Sequence, residues 1–139
     1  MKNRNLAVDD NWATPAEVYN ELKAEFNFDF DPCPFQCDTN VFNGLTAQWG
    51  NSNFINPPYS RKLKEEFVKR AIEESHQGKT CVMLLPVSTS TTLFHDYIKP
   101  NAKEIRFVKR RIKFQKKDDQ GNFFTPKNGG MHDSMIVIF

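Results

Sequence analysis

The chain has 139 residues, a hydrophobic fraction of 39% and a formal net charge of +2, enough for one domain around one apolar core, and no apolar run approaches the about 20 residues that span a bilayer. Its three cysteines, an odd number, argue against a disulfide framework. The polar start from Met1 to Asp10 reads as a flexible arm rather than a secretory leader, so a reducing cytoplasm is the expected compartment.

The first helix is announced by Thr14 as N-cap, Pro15 in the first helical position and Glu17 closing a capping box. Val18, Leu22 and Phe26 follow at four-residue spacing as its buried stripe. Phe28-Asp29-Phe30 alternates like a short strand and ends at Asp31-Pro32. From Cys33 to Asn53 the turn residues Asn40, Asn43-Gly44 and Gly50-Asn51 predict mostly loop. Phe54-Ile55 forms a brief strand that delivers Asn56-Pro57-Pro58-Tyr59 at its carboxyl end. A strong helix over about Arg61 to Gln77 comes next, with Leu63, Phe67, Val68, Ala71 and Ile72 on its apolar face and Gly78 as its stop.

Thr80 to Leu85 is a continuous apolar run that suits a central strand buried on both faces. Val87 to Thr92 reads as a Ser/Thr-rich helix-capping loop, Thr92 to Ile98 as a short helix, and Glu104 to Val108 and Ile112 to Phe114 as strands. Asp118 to Asn122 is turn-like, and Ser134 to Phe139 ends the chain as an apolar strand. This order predicts an α/β fold in which residues 11–139 form a single compact domain, a mostly parallel sheet with antiparallel C-terminal edge strands.

Asn56-Pro57-Pro58-Tyr59 has the chemistry to grip a planar exocyclic amine. Such a nitrogen is a poor nucleophile because its lone pair is delocalised into the ring. Two acceptors holding its two hydrogens would draw it toward tetrahedral geometry, and Asn56 offers a side-chain carbonyl while Pro57 offers its backbone carbonyl. Each proline holds the residue before it in extended backbone, which pre-sets the loop. Tyr59 adds a flat face for an extruded base. The plainer alternative, a stiff turn after a strand, is weakened by the apolar strand before it and the helix after it, where open α/β sheets bind ligands.

Seven Lys/Arg and no Asp or Glu lie between Arg106 and Lys117. This run suits either phosphate contacts or a charged guard on an edge strand. Cys33, Cys37, Cys81 and His76 form no convincing metal set, because no second tight pair exists and Cys81 sits in a buried run.

From Trp12 onward the chain resembles the phage-type, Dam-like DNA N-6-adenine methyltransferases. The matching elements are Trp12-Ala13-Thr14-Pro15, Phe28-Asp29-Phe30-Asp31-Pro32, Asn56-Pro57-Pro58-Tyr59-Ser60, Leu84-Leu85-Pro86, Arg111-Ile112-Lys113-Phe114 and the last strand with Ser134. The resemblance implies a Rossmann-like core, S-adenosylmethionine as methyl donor, no metal, and transfer to the amine of a flipped adenine in double-stranded DNA. By the same resemblance Asn56, Pro57, Pro58 and Tyr59 are catalytic. Asp31, Pro32, Trp12, Thr14 and Pro15 line the cofactor pocket, with Asp31 pairing the methionine ammonium. Asn40 is a further cofactor candidate, and Ser60, Arg61, Lys109, Arg111 and Lys113 are DNA contacts. One departure is plain: no glycine-rich loop follows Asp31. The tetrapeptide also fits a methyltransferase acting on an RNA base or a protein glutamine, and the missing loop fits a DNA-binding accessory protein of the same fold without catalysis. Specificity is expected to be short, or supplied by a second subunit.

Overall fold

The structure is a computed structural model that describes residues 12–38 and 40–139, so the expected arm, residues 1–10, lies outside the described residues. At its centre is β2, Thr80–Pro86, whose residues Cys81 to Leu85 are all buried. A run apolar on both faces needs cover on both, and β2 has it. On one side it pairs in parallel with β1, Ser52–Ile55. On the other it pairs antiparallel with β6, Ser134–Ile138, and β6 in turn pairs antiparallel with β3, Glu104–Phe107. Beyond β1 the Phe28–Phe30 segment extends the sheet by a parallel bridge from Phe30 to Asn53, with Asp29 N–H donating to the Ser52 carbonyl at 2.8 Å and Phe54 N–H to that of Phe30 at 3.1 Å.

The sheet is therefore mixed, and the expectation of a mostly parallel sheet with C-terminal edges is corrected. The last strand is not an edge. Its residues Met135, Val137 and Ile138 are buried, which an interior position satisfies, while β3, with exposed Glu104 and Phe107, takes the rim. Ile112 to Phe114 is extended but joins no ladder. Ile112 and Phe114 are buried between exposed Arg111 and Lys113, and the Phe114 N–H donates to the Gly129 carbonyl at 3.0 Å. The alternation was real, but no strand lies alongside. Lys116–Lys117 (β4) and Phe123–Phe124 (β5) form a separate hairpin, whose turn is tied by the Asp118 carboxylate accepting from Gln120 and Asn122 N–H at 2.9 Å each.

Two layers of side chains cover the sheet. On one face α2, Arg61–His76, lays Phe67, Val68, Ala71 and Ile72 against Ile55, Met83 and Leu85. Gly78, at φ 90°, turns the chain out of this helix in a conformation that only glycine adopts freely. On the other face α1, Ala16–Phe26, sets Leu22 beside an aromatic group of Tyr19, Phe26, Phe28 and Phe54. Its start differs from the expected capping box. Pro15 is the cap residue, no side chain caps the helix, and the Pro15 carbonyl receives Val18 and Tyr19 N–H at 3.1 Å. The helix forgoes a side-chain cap, worth about 1 kcal/mol, because proline at the cap position carries no side-chain acceptor.

After β2, Thr91 Oγ accepts from Phe94 N–H at 3.2 Å, the capping role expected of this loop. The helix it opens is a π-helix, Leu93–Ile98, running into α3, Lys99–Asn101. Pro100 stands in the first turn of α3, where its missing N–H costs no helical bond. The long loop before β1 is held by Arg70 of α2, which donates to the Leu45 and Ala47 carbonyls at 2.6 and 2.7 Å and stands over the buried Trp49 ring. Glu74, 6% exposed, bridges Arg70 and Lys79 at 2.8 and 2.6 Å. No helix among the described residues is long and apolar enough to cross a membrane.

Candidate active site

The parallel strand β1 ends as the tetrapeptide begins. Ile55 is fully buried, Asn56 is 7% exposed, and the two prolines that follow keep the backbone out of the helix until Ser60. The Asn56 side chain reaches back to the segment before α1. Its Nδ2 donates to the Trp12 carbonyl at 2.9 Å and to Thr14 Oγ1 at 3.1 Å. A carbonyl can only accept, so these bonds fix which end of the amide carries the hydrogens. Oδ1 is left buried with no hydrogen-bond partner. A buried acceptor without a donor costs on the order of 1–3 kcal/mol, which a ligand N–H would recover.

Asn56 lines a cavity of about 240 Å³ together with Trp12, Ala13, Thr14, Tyr19, Asp31, Cys33, Phe35, Phe54 and Phe123. Burial pushes the Asp31 carboxyl up to about 6, against a hydrogen bond from the Cys33 N–H at 2.8 Å that lowers it. No cation pairs with Asp31 among the described residues. An acidic group short of a counter-charge, walled by aromatic rings, suits a cationic ligand with a flat apolar part.

Tyr59 faces a second cavity, about 250 Å³, lined by Trp12, Phe114, Asn128, Gly129, Met131 and His132. Its ring meets Phe114 and His132 edge-on, both at 6.0 Å between centroids, and burial pushes its hydroxyl above the ordinary range, so it stays protonated. A Cβ on Gly129 would stand 2.5 Å from the Phe114 carbonyl oxygen, so glycine lets this loop close on the cavity floor. Trp12 belongs to both cavities. A third cavity, about 470 Å³, opens at the carboxyl end of β2 between Arg61, Lys64, Pro86, Ser88 and the π-helix. It is the largest of the three, yet it contains no residue of the tetrapeptide and no buried unpartnered acceptor.

Thus Trp12, Thr14, Asp31 and Asn56 meet in one cavity and Tyr59 stands in the next. Pro15 heads α1, and Pro32 is buried with its carbonyl packed where a Gly44 side chain would be. Asn40 is not brought to either cavity: it is exposed in a turn, its N–H bound to Asp38 at 2.9 Å. The Ser60 hydroxyl is buried and unpartnered at the start of α2. Arg61 pairs with Glu65 at 3.2 Å and Arg111 with Asp133 at 3.0 Å, while Lys109 and Lys113 are exposed. Arg106 is spent on Glu25 and Glu104, at 2.6 and 2.8 Å. Sequence reasoning missed Tyr19, Phe35, Phe123 and His132 as lining residues, and read Phe114 as a strand residue within a family-matching element without a place in the site. Tyr19 carried a signal, lying three residues before Leu22 on the buried stripe of α1. Phe35 and His132 sit on loops and Phe123 on the short strand β5, and their approach depends on tertiary structure.

A DNA N-6-adenine-methyltransferase of Haemophilus phage HP1 (strain HP1c1) is 44% identical over 110 residues, covering 71% of this chain and 62% of the relative. One of Escherichia phage T1 is 35% identical over 112 residues, covering 73% of this chain and 46% of the relative. The chain therefore spans about half to three-fifths of the length of these curated relatives. Residues 2–139 match the family model described as DNA N-6-adenine-methyltransferase (Dam), and the chain belongs to that family.

Proposed function

We propose that the chain methylates the exocyclic amine of a flipped adenine in double-stranded DNA, with S-adenosylmethionine as donor. The observation that carries the reading is the Asn56 amide at the end of β1, its hydrogens committed to Trp12 and Thr14 and its Oδ1 buried without a partner. An amine donating one hydrogen to Oδ1 and the other to the Pro57 carbonyl loses conjugation with its ring and aims its lone pair out of the ring plane. Asn56 is neutral and takes no proton; it orients and stabilises the positive charge that develops on nitrogen.

The cavity around Asp31 fits the donor, since a half-buried carboxylate without a counter-ion among the described residues matches an ammonium and Trp12, Tyr19, Phe35 and Phe54 match a nucleoside. When bound, the cofactor would supply a methyl group on a sulfonium, whose sulfur would leave as the neutral thioether of S-adenosylhomocysteine. Tyr59, edge-on to Phe114, receives the extruded base in the neighbouring cavity. After transfer the cationic amine is acidic enough to lose its proton to water. The parallel run of Phe28–Phe30, β1 and β2, with α2 crossing between β1 and β2, supports a Rossmann-like core. Lys109 and Lys113, exposed and without an ion pair among the described residues, supply phosphate contacts, with Ser60 and Arg61 beside the reacting base.

The deciding experiment offers labelled cofactor with plasmid DNA, RNA and protein to the wild type and to Asn56→Ala. Methyl adenine in DNA is expected for the wild type, with a loss on the order of a hundredfold in the variant. Equal methylation by both proteins, or label only in RNA or protein, refutes the proposal.

A further inference from the structure

Asn56 is held by a segment more than forty residues earlier in the chain, at sequence separations of 44 and 42. We infer that Thr14 is a positioning residue: its Oγ1, with the Trp12 carbonyl, locks the Asn56 amide so that Oδ1 rather than Nδ2 faces the reacting amine. The two ends of an Asn amide are alike in shape and differ in which one donates. Turned over, the group would set Oδ1 against the Trp12 carbonyl and direct Nδ2, a donor, at a nitrogen that also donates. The Trp12 carbonyl chooses the orientation and Thr14 holds the second hydrogen.

Two further observations agree with this. Thr14 lies one residue before Pro15, the cap position of α1, so its hydroxyl is not spent on the helix and is turned to Asn56. The residue between the two anchors, Ala13, is buried and clamped to Gln115 by reciprocal backbone bonds of 2.9 and 3.0 Å, so the strap presenting both acceptors is itself fixed.

That the locked oxygen meets an adenine amine rests on the proposed function; the lock itself does not. The test uses the full chain with Thr14→Val, which removes the hydroxyl at similar volume, Thr14→Ala, which avoids any clash, and Thr14→Ser, which keeps the hydroxyl. For Val and Ala, kcat at saturating cofactor is expected to fall about three- to tenfold, the worth of one neutral hydrogen bond, with cofactor KM unchanged and Ser near wild type. In nitrogen-15 NMR spectra, one Asn56 side-chain proton should lose protection from exchange in Val and Ala but not in Ser. A rise in cofactor KM at unchanged kcat would make Thr14 a cofactor contact only and overturn the inference, as would wild-type protection of both amide protons in Val and Ala. If the wild type methylates no DNA, the proposed function fails while the exchange measurement still decides the lock.

Discussion

Asp31 is the residue whose environment most clearly asks for a ligand. Its carboxyl, ordinarily near 3.8, is pushed up to about 6 by burial. Between about pH 4 and 6 the folded chain therefore keeps a proton that the unfolded chain releases, so the contribution of Asp31 to stability falls as pH rises through that window and is level above it. Ligand binding runs the other way: an ammonium needs the carboxylate, so affinity for S-adenosylhomocysteine should rise as pH climbs through about 6. Calorimetry from pH 5 to 8 checks this. Asp31→Asn should weaken binding about ten- to hundredfold, the range of a charge-assisted bond, and remove the pH dependence; an affinity flat across pH in the wild type would sink the assignment. At this scale much was legible. Asn56 is marked by residue type and by the elements beside it, Asp31, Trp12 and Thr14 by the family resemblance, and one cavity gathers all four. The role of Thr14 was not, because a Thr-Pro-x-Glu pattern reads equally well as a helix cap.

Among the elements, α2 shows how a helix can be read correctly while one of its roles is missed. Its apolar face follows from periodicity, but Arg70 and Glu74, at i and i+4, look like a solvated pair. Only the folded loop, with Trp49 under Arg70, turns them into a buried clamp. Burial opposes the charge on Glu74, yet hydrogen bonds from Lys79 and Arg70 hold its carboxyl below the ordinary 4.5. Its stabilising contribution is therefore present above pH 4.5 and is lost as pH falls through the lowered value. Glu74→Gln should cost about 2 kcal/mol in urea unfolding at pH 7, less than a fully buried pair, because Arg70 and Lys79 each keep 21% of their side-chain surface exposed. An unchanged urea midpoint would show the clamp to be ornamental. The π-helix was likewise legible as a helix but not in kind.

For the whole molecule, the strands of the main sheet were readable from the sequence, while the strand expected at Ile112 to Phe114 joins no ladder, the β4–β5 pair was not expected, and strand order was not legible. β6 is last in sequence and interior in the sheet, a placement set by which faces remain to be covered. Charge shows the same limit. The run from Arg106 to Lys117 looked uniform, yet Arg106 is bound to two glutamates and Arg111 to Asp133. Lys113→Gln should weaken DNA binding and flatten the dependence of log K on log salt by about one. Arg106→Gln should leave that slope intact and lower stability. The reverse pattern would move the DNA to the β3 edge.

Trp12 is a wall common to both small cavities, and Lys116 stands over its indole at 4.3 Å. A ligand that stills this ring in one cavity spares the other ligand the same loss of freedom. The two affinities are then linked, and linkage is reciprocal: by whatever factor S-adenosylhomocysteine tightens the grip on DNA, DNA must tighten the grip on S-adenosylhomocysteine. Titrating each in the presence and absence of the other should return one coupling factor from both directions, and Trp12→Ala should bring it toward unity. A single indole would thus let the protein sense that its two ligands have both arrived.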